Sequence, residues 1–292
     1  MKRVLISFCL LMVAAFLFAQ ERPLNVIVIG AHPDDADGDF GGTAILLAEM
    51  GHNVKFVSLT NGDAGHQSRG GGDLARVRIA EAQEAGKRFG VEYEVLDNHD
   101  GELMPTLENR KKVIRQIREW NADVVLTHRP NDYHPDHRYT SILVQDAAYM
   151  VIVPNVVPEV APLKKNPVFL YVQDYFQKPT PFEPQIAVDI SEVYEQKIYG
   201  MAAHASQFFE WLPWTSGRLD QVPEGEKERL EWLGARRYNV PTPEIRECLE
   251  LWYGDKAKEI THAEAFEICE YGRQPDKEEI LKLFPMLPGS TD

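Results

Sequence analysis

The 292-residue chain is poor in cysteine, which limits the sites that sulfur can form. It has three cysteines, and Cys9 lies in an N-terminal apolar run, so Cys248 and Cys269 remain for the folded part. Their spacing is not the CxxC spacing of a redox or zinc site, which excludes that kind of centre. A disulfide between them and two buried thiols in helices are equal alternatives, because spacing alone does not fix geometry.

Positive charge is also scarce. The chain has 31 Lys and Arg against 45 Asp and Glu, a formal net charge of −14 at pH 7. Without Lys2 and Arg3, which belong to the N-terminal segment, 29 basic residues face 45 acidic ones and the net charge is −16. Such a chain repels phosphate backbones and anionic lipid surfaces, so we expect no nucleic-acid partner.

Only the N-terminal apolar run approaches the length of a membrane span. It extends without charge from Val4 to Phe18, follows Lys2 and Arg3, and ends in Phe-Ala-Gln. These are the parts of a secretory signal peptide, and the run is short for a span. We predict a signal peptide over residues 1–19, export to the periplasm or the exterior, and no membrane span in the processed chain. An uncleaved N-terminal anchor is the alternative.

The remainder reads as a globular α/β protein, with 44% hydrophobic residues available for a core. Short β-branched runs alternate with helical patterns, which predicts parallel strands with right-handed crossovers. Residues 20–210 should form a Rossmann-like three-layer sandwich with a mostly parallel sheet. Residues 211–292 are charged and punctuated by proline, and we expect a C-terminal helical extension packed on this domain. Strands are predicted over residues 24–30, 54–59, 91–96, 123–127, 168–172 and 186–190.

A first polar cluster, Ala31-His32-Pro33-Asp34-Asp35, directly follows the first predicted strand. In open α/β sheets, ligands gather beyond the carboxyl ends of the strands. His32 and Asp35 are three residues apart on a tight turn, so both can point at one cation while Asp34 points elsewhere. The plainer alternative is a polar turn without a ligand.

A second cluster, His134-Pro135-Asp136-His137, follows the fourth predicted strand and offers the missing ligand. His32, Asp35 and His137 would supply two imidazoles and one carboxylate, a set that suits catalytic zinc with one position open for water. Ferrous iron, manganese and cobalt accept the same ligands. A solvated helix start is the alternative for this cluster alone. The hypothesis requires the three side chains to meet around one point.

The neighbouring side chains predict hydrolysis of an amide. Asp34 is placed to take a proton from water as general base and to give it to the departing amine. His134, as a protonated imidazole, can stabilise the oxyanion of a tetrahedral intermediate. Asp136 can orient His134 and hold its positive charge. His128 should lie near the pocket without binding metal, and His204 should be a packing residue or a neighbour of the ligands.

Short motifs along residues 26–207 resemble the LmbE-like zinc deacetylases, the family of the de-N-acetylase of glycosylphosphatidylinositol synthesis and of the mycothiol and bacillithiol pathway deacetylases. The matching motifs are AHPDDAD at 31–37, GGT at 41–43, TNGDAG at 60–65, RIAE at 78–81, DG at 100–101, HPDH at 134–137 and HASQ at 204–207. The resemblance implies one zinc ion on the ligands named above. It also implies that Arg78 and Asp100 contact sugar hydroxyls, with a local salt bridge to Glu81 as the alternative for Arg78. One departure is Asp37, where the family usually has glutamate.

Three hypotheses for function follow. The first is a zinc-dependent hydrolase that removes an acetyl group from an N-acetylglucosamine-type sugar or glycoconjugate outside the cytoplasm. The second is an amidase for a larger acyl or peptide-like amide, with Asp39, Phe40, Trp211 and Trp214 shaping its pocket, although core packing is favoured for the tryptophans. The third is a non-catalytic carbohydrate-binding protein, against which Asp34 argues because binding alone needs no base. The sequence gives no indication of oligomeric state.

Overall fold

The computed structural model of the protein describes residues 22–236 and 238–289, so the predicted signal peptide lies outside the described residues. The strands are β1 (Asn25–Gly30), β2 (Asn53–Thr60), β3 (Glu92–Asn98), β4 (Val124–Thr127), β5 (Val168–Val172), β6 (Ile186–Asp189) and β7 (Ala263–Gly272). The α-helices are α1 (Asp35–Glu49), α2 (Gly71–Phe89), α3 (Leu107–Glu119), α4 (Pro135–Met150), α5 (Tyr194–Met201), α6 (Leu212–Thr215), α7 (Glu226–Gly234), α8 (Pro243–Tyr253) and α9 (Lys277–Leu283). Within these described ranges, no helix has the length and apolar character needed to cross a bilayer.

The described strands form one sheet in the order β3-β2-β1-β4-β5-β7-β6. Strands β1 to β5 pair in parallel, whereas β7 runs antiparallel to both β5 and β6. The structure confirms the predicted α/β fold with a mostly parallel sheet. The chain leaves β1 towards β2 and β3, and β4 leads it towards β5. Strand order therefore reverses between the neighbouring strands β1 and β4. Ligands commonly bind beyond the carboxyl ends of strands at such a point.

Alternate side chains of β1 are buried under two layers of helices. Val26 and Val28 belong to a core that includes residues of α1, α2 and α5, whereas Ile27 and Ile29 belong to a core with α3 and α4. Full burial of one such aliphatic side chain stabilises a protein by about 1.5–3 kcal/mol. Strands that are buried on both faces consist of nearly continuous apolar residues, which is why β1 was predictable.

The C-terminal extension supplies a strand that the sequence did not predict. β7 lies inside the sheet, so this part of the chain completes the sheet as well as adding helices to it. The sequence of β7, AEAFEICEYG, contains three glutamates that obscure its strand pattern. Glu264 is fully buried, lies 2.7 Å from Lys197 Nζ, and accepts backbone N–H groups of Gly42 and Thr43 at 2.8 and 2.7 Å. A charged residue can occupy an interior strand when it is paired and hydrogen-bonded in this way. The domain boundary at residue 210 stays a prediction.

Two helices near the site have polar or irregular turns at their ends. α1 begins at Asp35, five residues before its apolar pattern starts, because Asp35 and Asp37 occupy its first turn at the positive end of the helix dipole. The segment that follows β6 is not one continuous helix. α5 ends at Met201, and a π-helical turn, Ser206–Trp211, follows it.

Both cysteines of the described residues are buried free thiols. Cys248 lies in α8, whereas Cys269 lies in β7 and not in a helix. Burial raises the pKa of Cys248 to about 12, and burial likewise raises the pKa of Cys269. Neither thiol is therefore a reactive group at neutral pH.

Candidate active site

Three predicted ligand side chains meet beyond the carboxyl ends of β1 and β4. His32 Nδ1 lies 3.2 Å from His137 Nε2. Asp35 Oδ2 lies 3.6 Å from the first nitrogen, and Asp35 Oδ1 lies 3.5 Å from the second. Atoms bound to zinc at tetrahedral angles, with bonds of about 2.0–2.1 Å, stand roughly 3.3 Å apart. The three side chains therefore fit one small divalent cation.

Other potential ligand atoms surround the same point. Three sets have atoms within 4.8 Å of one another: His32–His134–His137, Asp35–His128–His137 and His32–Asp100–Asp136. The predicted trio of His32, Asp35 and His137 is not itself one of these sets, but each of its members belongs to at least one of them. His134 Nδ1 accepts a backbone hydrogen bond, and the carboxylate of Asp136 accepts two.

The backbone of the first turn orients Asp35. Its Oδ2 accepts the N–H groups of Ala31 and His32 at 2.8 and 2.7 Å. Gly30 permits this approach, since a methyl group there would lie 2.9 Å from Asp35 Cβ. Burial acts to raise the pKa of Asp35, but the charges of His137 and the buried His128 outweigh it and hold this pKa well below its usual value. The carboxylate is therefore ionised.

Carboxylates also stand behind both ligand imidazoles. His32 Nε2 lies 3.1 Å from Asp100 Oδ1 and 3.4 Å from Asp136 Oδ2, and His137 Nδ1 lies 3.1 Å from Asp132 Oδ1. Metal-binding histidines usually donate their second N–H to a carboxylate or carbonyl, which fixes the tautomer and makes the binding nitrogen more basic. Asp132 was not predicted; its only signal in the sequence is its place two residues before His134.

The position of Asp136 differs from its predicted role. The sequence predicts that its carboxylate orients His134, whereas the structure buries that carboxylate against His32 and the backbone N–H groups of Gly101 and Leu103. Only its backbone N–H reaches His134, donating to Nδ1 at 3.2 Å. The reason is local, because His134 is the N-cap residue of α4 and its ring turns back onto the first helical turn.

The protonation of His134 also differs from the prediction. Burial, followed by the nearby His32 and His137, lowers the pKa of His134, which therefore is neutral at pH 7. Because Nδ1 accepts the Asp136 N–H, the proton of the neutral ring is assigned to Nε2. A neutral ring in this tautomer still donates a hydrogen bond.

Asp34 stands beside the metal-binding atoms and belongs to none of these sets. Its backbone has φ 142° and ψ −19°, a conformation that non-glycine residues rarely adopt, and its N–H donates to Tyr93 Oη at 3.0 Å. Burial, followed by the charge of Asp35, raises the pKa of Asp34 to about 7. Strained residues cluster at functional sites. A carboxyl group with this pKa can both accept and give up a proton at neutral pH.

A cavity of about 520 Å³ opens beside Asp34 and contains the predicted substrate-binding residues. We call it the first cavity; among its lining residues are His32, Asp34, Arg78, Asp100, Tyr133, His134, Gln207 and Trp211. Arg78 is 2% exposed and donates from Nη2 to the Gly65 carbonyl at 2.6 Å, while its Nε and Nη1 have no partner among the described residues. The alternative partner, Glu81, instead accepts the N–H and hydroxyl of Ser206 at 2.8 and 2.6 Å.

A second cavity, of about 370 Å³, lies beside Asp35 and His137. Asp34 and Tyr133 line both cavities, so the candidate centre lies between them. Several apolar or aromatic side chains line the second cavity: Val172, Tyr175, Phe176, Met201, Phe208 and Tyr238.

Two further features lie behind the predicted residues. His128 stacks on His137, with ring centroids 4.2 Å apart and planes within 4°, and its Nε2 lies 3.1 Å from Asp35 Oδ2.

Behind Asp34, the Tyr93 hydroxyl donates to Asp37 Oδ2 at 2.9 Å, and His204 Nε2 lies 2.9 Å from Asp37 Oδ1. Asp37 and His204 are fully buried. No spacing rule connects these three residues in the sequence.

The family model described as PIG-L, GlcNAc-PI de-N-acetylase, matches residues 27–148. A diacetylchitobiose deacetylase from Thermococcus kodakarensis is 33% identical over 214 residues, which is 68% of this chain and 77% of that protein.

Two solved structures are similar in fold. An N,N'-diacetylchitobiose deacetylase from Pyrococcus horikoshii superposes with a TM-score of 0.61 and 26% identity, covering 84% of this chain and 83% of that one. The 4-carboxy-2-hydroxymuconate hydratase from Pseudomonas putida superposes with a TM-score of 0.63 at 18% identity, covering 87% and 99%. The hydratase shows the fold alone, since one fold can carry unrelated chemistry.

Proposed function

The chain belongs to the PIG-L (LmbE-like) family of deacetylases, hydrolases of carbon–nitrogen amide bonds in sugars, and we propose that it removes the acetyl group from an N-acetylglucosamine-type sugar. One observation carries the proposal. Two imidazoles and a carboxylate present atoms 3.2–3.6 Å apart, and an acid with a pKa of about 7, Asp34, stands beside them at the wall of a cavity.

We propose zinc as the metal, held by His32, Asp35 and His137. The opposed ring nitrogens and the ionised carboxylate are a ligand set that zinc commonly takes, although other divalent ions accept it too. When bound, the ion supplies Lewis acidity, which lowers the pKa of water towards neutrality and polarises a carbonyl oxygen.

Asp34 acts as general base and then as general acid in the proposed reaction. It takes a proton from the attacking water, and it gives that proton to the nitrogen when the carbon–nitrogen bond breaks. Both steps need a pKa near the working pH, and burial raises the pKa of Asp34 to about 7. The hydrogen bond from its N–H to Tyr93 holds the residue in its strained conformation.

His134 donates the hydrogen bond that stabilises the developing oxyanion. Its neutral ring carries the proton on Nε2, because Nδ1 accepts the backbone N–H of Asp136. One well-placed donor of this kind contributes about 3 kcal/mol to the stability of a transition state. The donor needs no positive charge, which agrees with the lowered pKa of His134.

Arg78 and Asp100 bind sugar hydroxyls in the first cavity. The buried Nε and Nη1 of Arg78 lack a partner in the part of the chain that the structure describes, and a buried donor without a partner destabilises a protein by about 1–3 kcal/mol. A hydroxyl-rich substrate would satisfy these donors. Asp100 accepts from such hydroxyls while its other contact, with His32, is kept.

The test is acetate release from a panel of sugars by the purified processed chain. We expect release from an N-acetylglucosamine-containing saccharide, loss of that release on chelation, and its return when zinc is added. The variant Asp34→Asn removes the proposed base, and Asp73→Asn is its matched control. The control makes the same chemical change at an exposed acid of α2 and should retain activity. Absence of acetate release from every sugar with the zinc-loaded protein would overturn the proposal.

A second candidate, hydrolysis of an amide with a larger acyl group, is favoured by the second cavity. An acetyl group needs space for one methyl, whereas this cavity of about 370 Å³ beside Asp35 and His137 has several apolar and aromatic side chains among the polar ones in its wall. Comparing N-acetyl with N-butyryl and N-hexanoyl glucosamine distinguishes the two. A higher kcat/KM for the longer acyl groups would show that they, and not acetyl, are the preferred acyl groups.

We also propose that the protein is exported. The support is the composition of residues 1–19, where two basic residues precede an uncharged apolar run. N-terminal sequencing of the protein from periplasmic and culture fractions should find a chain that begins near residue 20. A protein confined to the cytoplasm with its first residues intact would contradict export.

A further inference from the structure

Two tryptophans stack on each other at the wall of the first cavity. The ring centroids of Trp211 and Trp214 lie 5.4 Å apart, with 16° between the planes. Trp211 lines the cavity, and Trp214 is 49% exposed. Neither indole belongs to a hydrophobic core formed by the described residues. The prediction that both pack in the core is therefore wrong.

An ion-pair cluster fixes the turn that carries Trp211. The loop between β2 and α2, residues 61–70, forms part of the cavity wall together with the π-helical turn. Glu210 Oε2 lies 2.7 Å from His66 Nε2 in this loop and also accepts from the Arg69 guanidinium. The residue before Trp211 is thereby tied to the loop, which limits the movement of the indole.

Trp211 also adjoins the polar floor of the site. A methyl group at Gly65 would lie 3.6 Å from Trp211 Nε1, 3.2 Å from Asp100 Oδ2 and 3.6 Å from Arg78 Nη2. Gly65 thus lets three side chains approach one small region. The indole N–H lies beside the groups that are proposed to bind hydroxyls of the acetylated ring.

We propose that Trp211 and Trp214 form a platform for a second sugar ring, the one joined by a glycosidic bond to the N-acetylated ring. This inference rests on the proposed function and makes the substrate an N-acetylated oligosaccharide rather than a free monosaccharide. The C–H face of a pyranose packs on an aromatic face, and the indole N–H is left for a hydroxyl. A cavity of about 520 Å³ falls within the roughly 300–1,000 Å³ that holds drug-sized ligands, which gives space for two rings.

The test compares one ring with two. N-acetylglucosamine and N,N'-diacetylchitobiose are titrated into zinc-loaded Asp34→Asn protein by calorimetry, because this variant should bind without turnover. Trp211→Ala in that background should weaken disaccharide binding about tenfold and monosaccharide binding less than about twofold. Trp211→Phe should restore most of the affinity, because it keeps a stacking face. Trp252→Ala, which removes a partly buried indole from α8, is the matched control and should change neither affinity.

Steady-state kinetics give a second measurement on the active protein. Trp211→Ala should raise KM for the disaccharide with kcat nearly unchanged, and Trp214→Ala should act in the same direction more weakly. Equal weakening for one and two rings, or no weakening for two, would overturn the platform. So would wild-type protein that binds both sugars equally well. Circular dichroism and thermal melting establish that each variant is folded.

The two proposals fail separately. If no sugar releases acetate but disaccharide binding depends on Trp211, the platform stands and the deacetylase proposal falls. If acetate is released and Trp211→Ala leaves the preference for two rings intact, the deacetylase stands and the platform falls.

Discussion

The Nδ1 atom of His32 and the Nε2 atom of His137 face each other at 3.2 Å, and each ring has a carboxylate beside its other nitrogen. Those carboxylates favour a proton on the nitrogen beside them, which is Nε2 of His32 and Nδ1 of His137. In neutral rings, the lone pairs of His32 Nδ1 and His137 Nε2 therefore point at each other. Lone pairs repel at this distance unless a cation lies between them. The pair is therefore built for a cation, which is either a proton or a metal ion.

Metal removal should abolish activity and lower stability. We expect one zinc per chain by mass spectrometry, and a free energy of unfolding that increases by about 2.7 kcal/mol when free zinc reaches 100 times Kd. His137→Ala should lose both the metal and the zinc-dependent rise in melting temperature. His52→Ala, outside every potential donor set, should keep both. Full activity of metal-free protein would contradict this reading of the site.

Zinc binding should release protons near neutral pH. Burial acts to lower the pKa of His32, but Asp100, Asp136 and Asp35 outweigh it and raise this pKa well above 6.5. A metal must displace that proton, so zinc affinity should fall as pH decreases through the raised pKa. Calorimetry in two buffers of different ionisation enthalpy measures the release. Asp100→Asn should reduce the number of protons released at pH 7, whereas zinc affinity that is constant from pH 5 to 8 would exclude the mechanism.

Replacing the general base should separate chemistry from metal binding. Asp34→Asn keeps the shape of the side chain and removes its ability to accept a proton, so kcat should fall by about 10²–10⁴-fold. Zinc content should stay at one per chain, because Asp34 is outside the proposed ligand set. If Asp34→Asn lost zinc together with activity, the assignment of ligand and base would have to be exchanged between the two neighbouring aspartates.

The same variant should change how stability depends on pH. Burial and then the charge of Asp35 raise the pKa of Asp34 from 3.8 to about 7 in the folded state. The stability due to its neutral form is complete below pH 3.8 and is lost as pH rises through about 7. Metal-free Asp34→Asn should therefore unfold at higher urea concentration than wild type at pH 8, with the difference closing towards pH 4. A constant difference across this range would show that Asp34 does not titrate as described.

The sequence predicted those parts of the site that lie close together along the chain. His32 and Asp35 share one turn, and His134 and His137 share another, while the alternation of strands and helices brings both turns to one edge of the sheet. Local spacing and topology were sufficient for this step. The orientation of Asp136 was not predictable, because it depends on backbone N–H groups of a loop that follows a different strand.

The missed features all depend on contacts between distant segments. Glu264 reads as a surface residue until Lys197 and the middle of α1 enclose it, and β7 was missed with it. Trp211 and Trp214 read as core residues, because an aromatic pair at helical spacing is usually buried. Trp211 ends the π-helical turn and lines the first cavity, and Trp214 is exposed just after it; no periodicity in the sequence predicted that turn.

The buried pair of Asp37 and His204 should stabilise the fold and support Asp34. Both side chains are fully buried 2.9 Å apart, and Tyr93 connects Asp37 to the N–H of Asp34. Removing one partner leaves an unpaired buried charge, so His204→Ala should reduce the free energy of unfolding by about 3–5 kcal/mol. Tyr93→Phe should cost less stability and lower kcat, since it removes the hydrogen bonds to Asp37 and to the Asp34 N–H but leaves the contact between Asp37 and His204 in place.

The sign of the pH effect tests this pair separately. Burial acts to lower the pKa of His204, but the Asp37 charge outweighs it and raises the net pKa above 6.5. The stability that the pair provides is therefore complete below pH 6.5 and is lost as pH rises through the raised pKa. In urea denaturation, the difference between wild type and His204→Ala should shrink as pH increases from 6 to 9. A His204→Ala protein within about 1 kcal/mol of wild type at pH 6 would reduce the pair to ordinary packing.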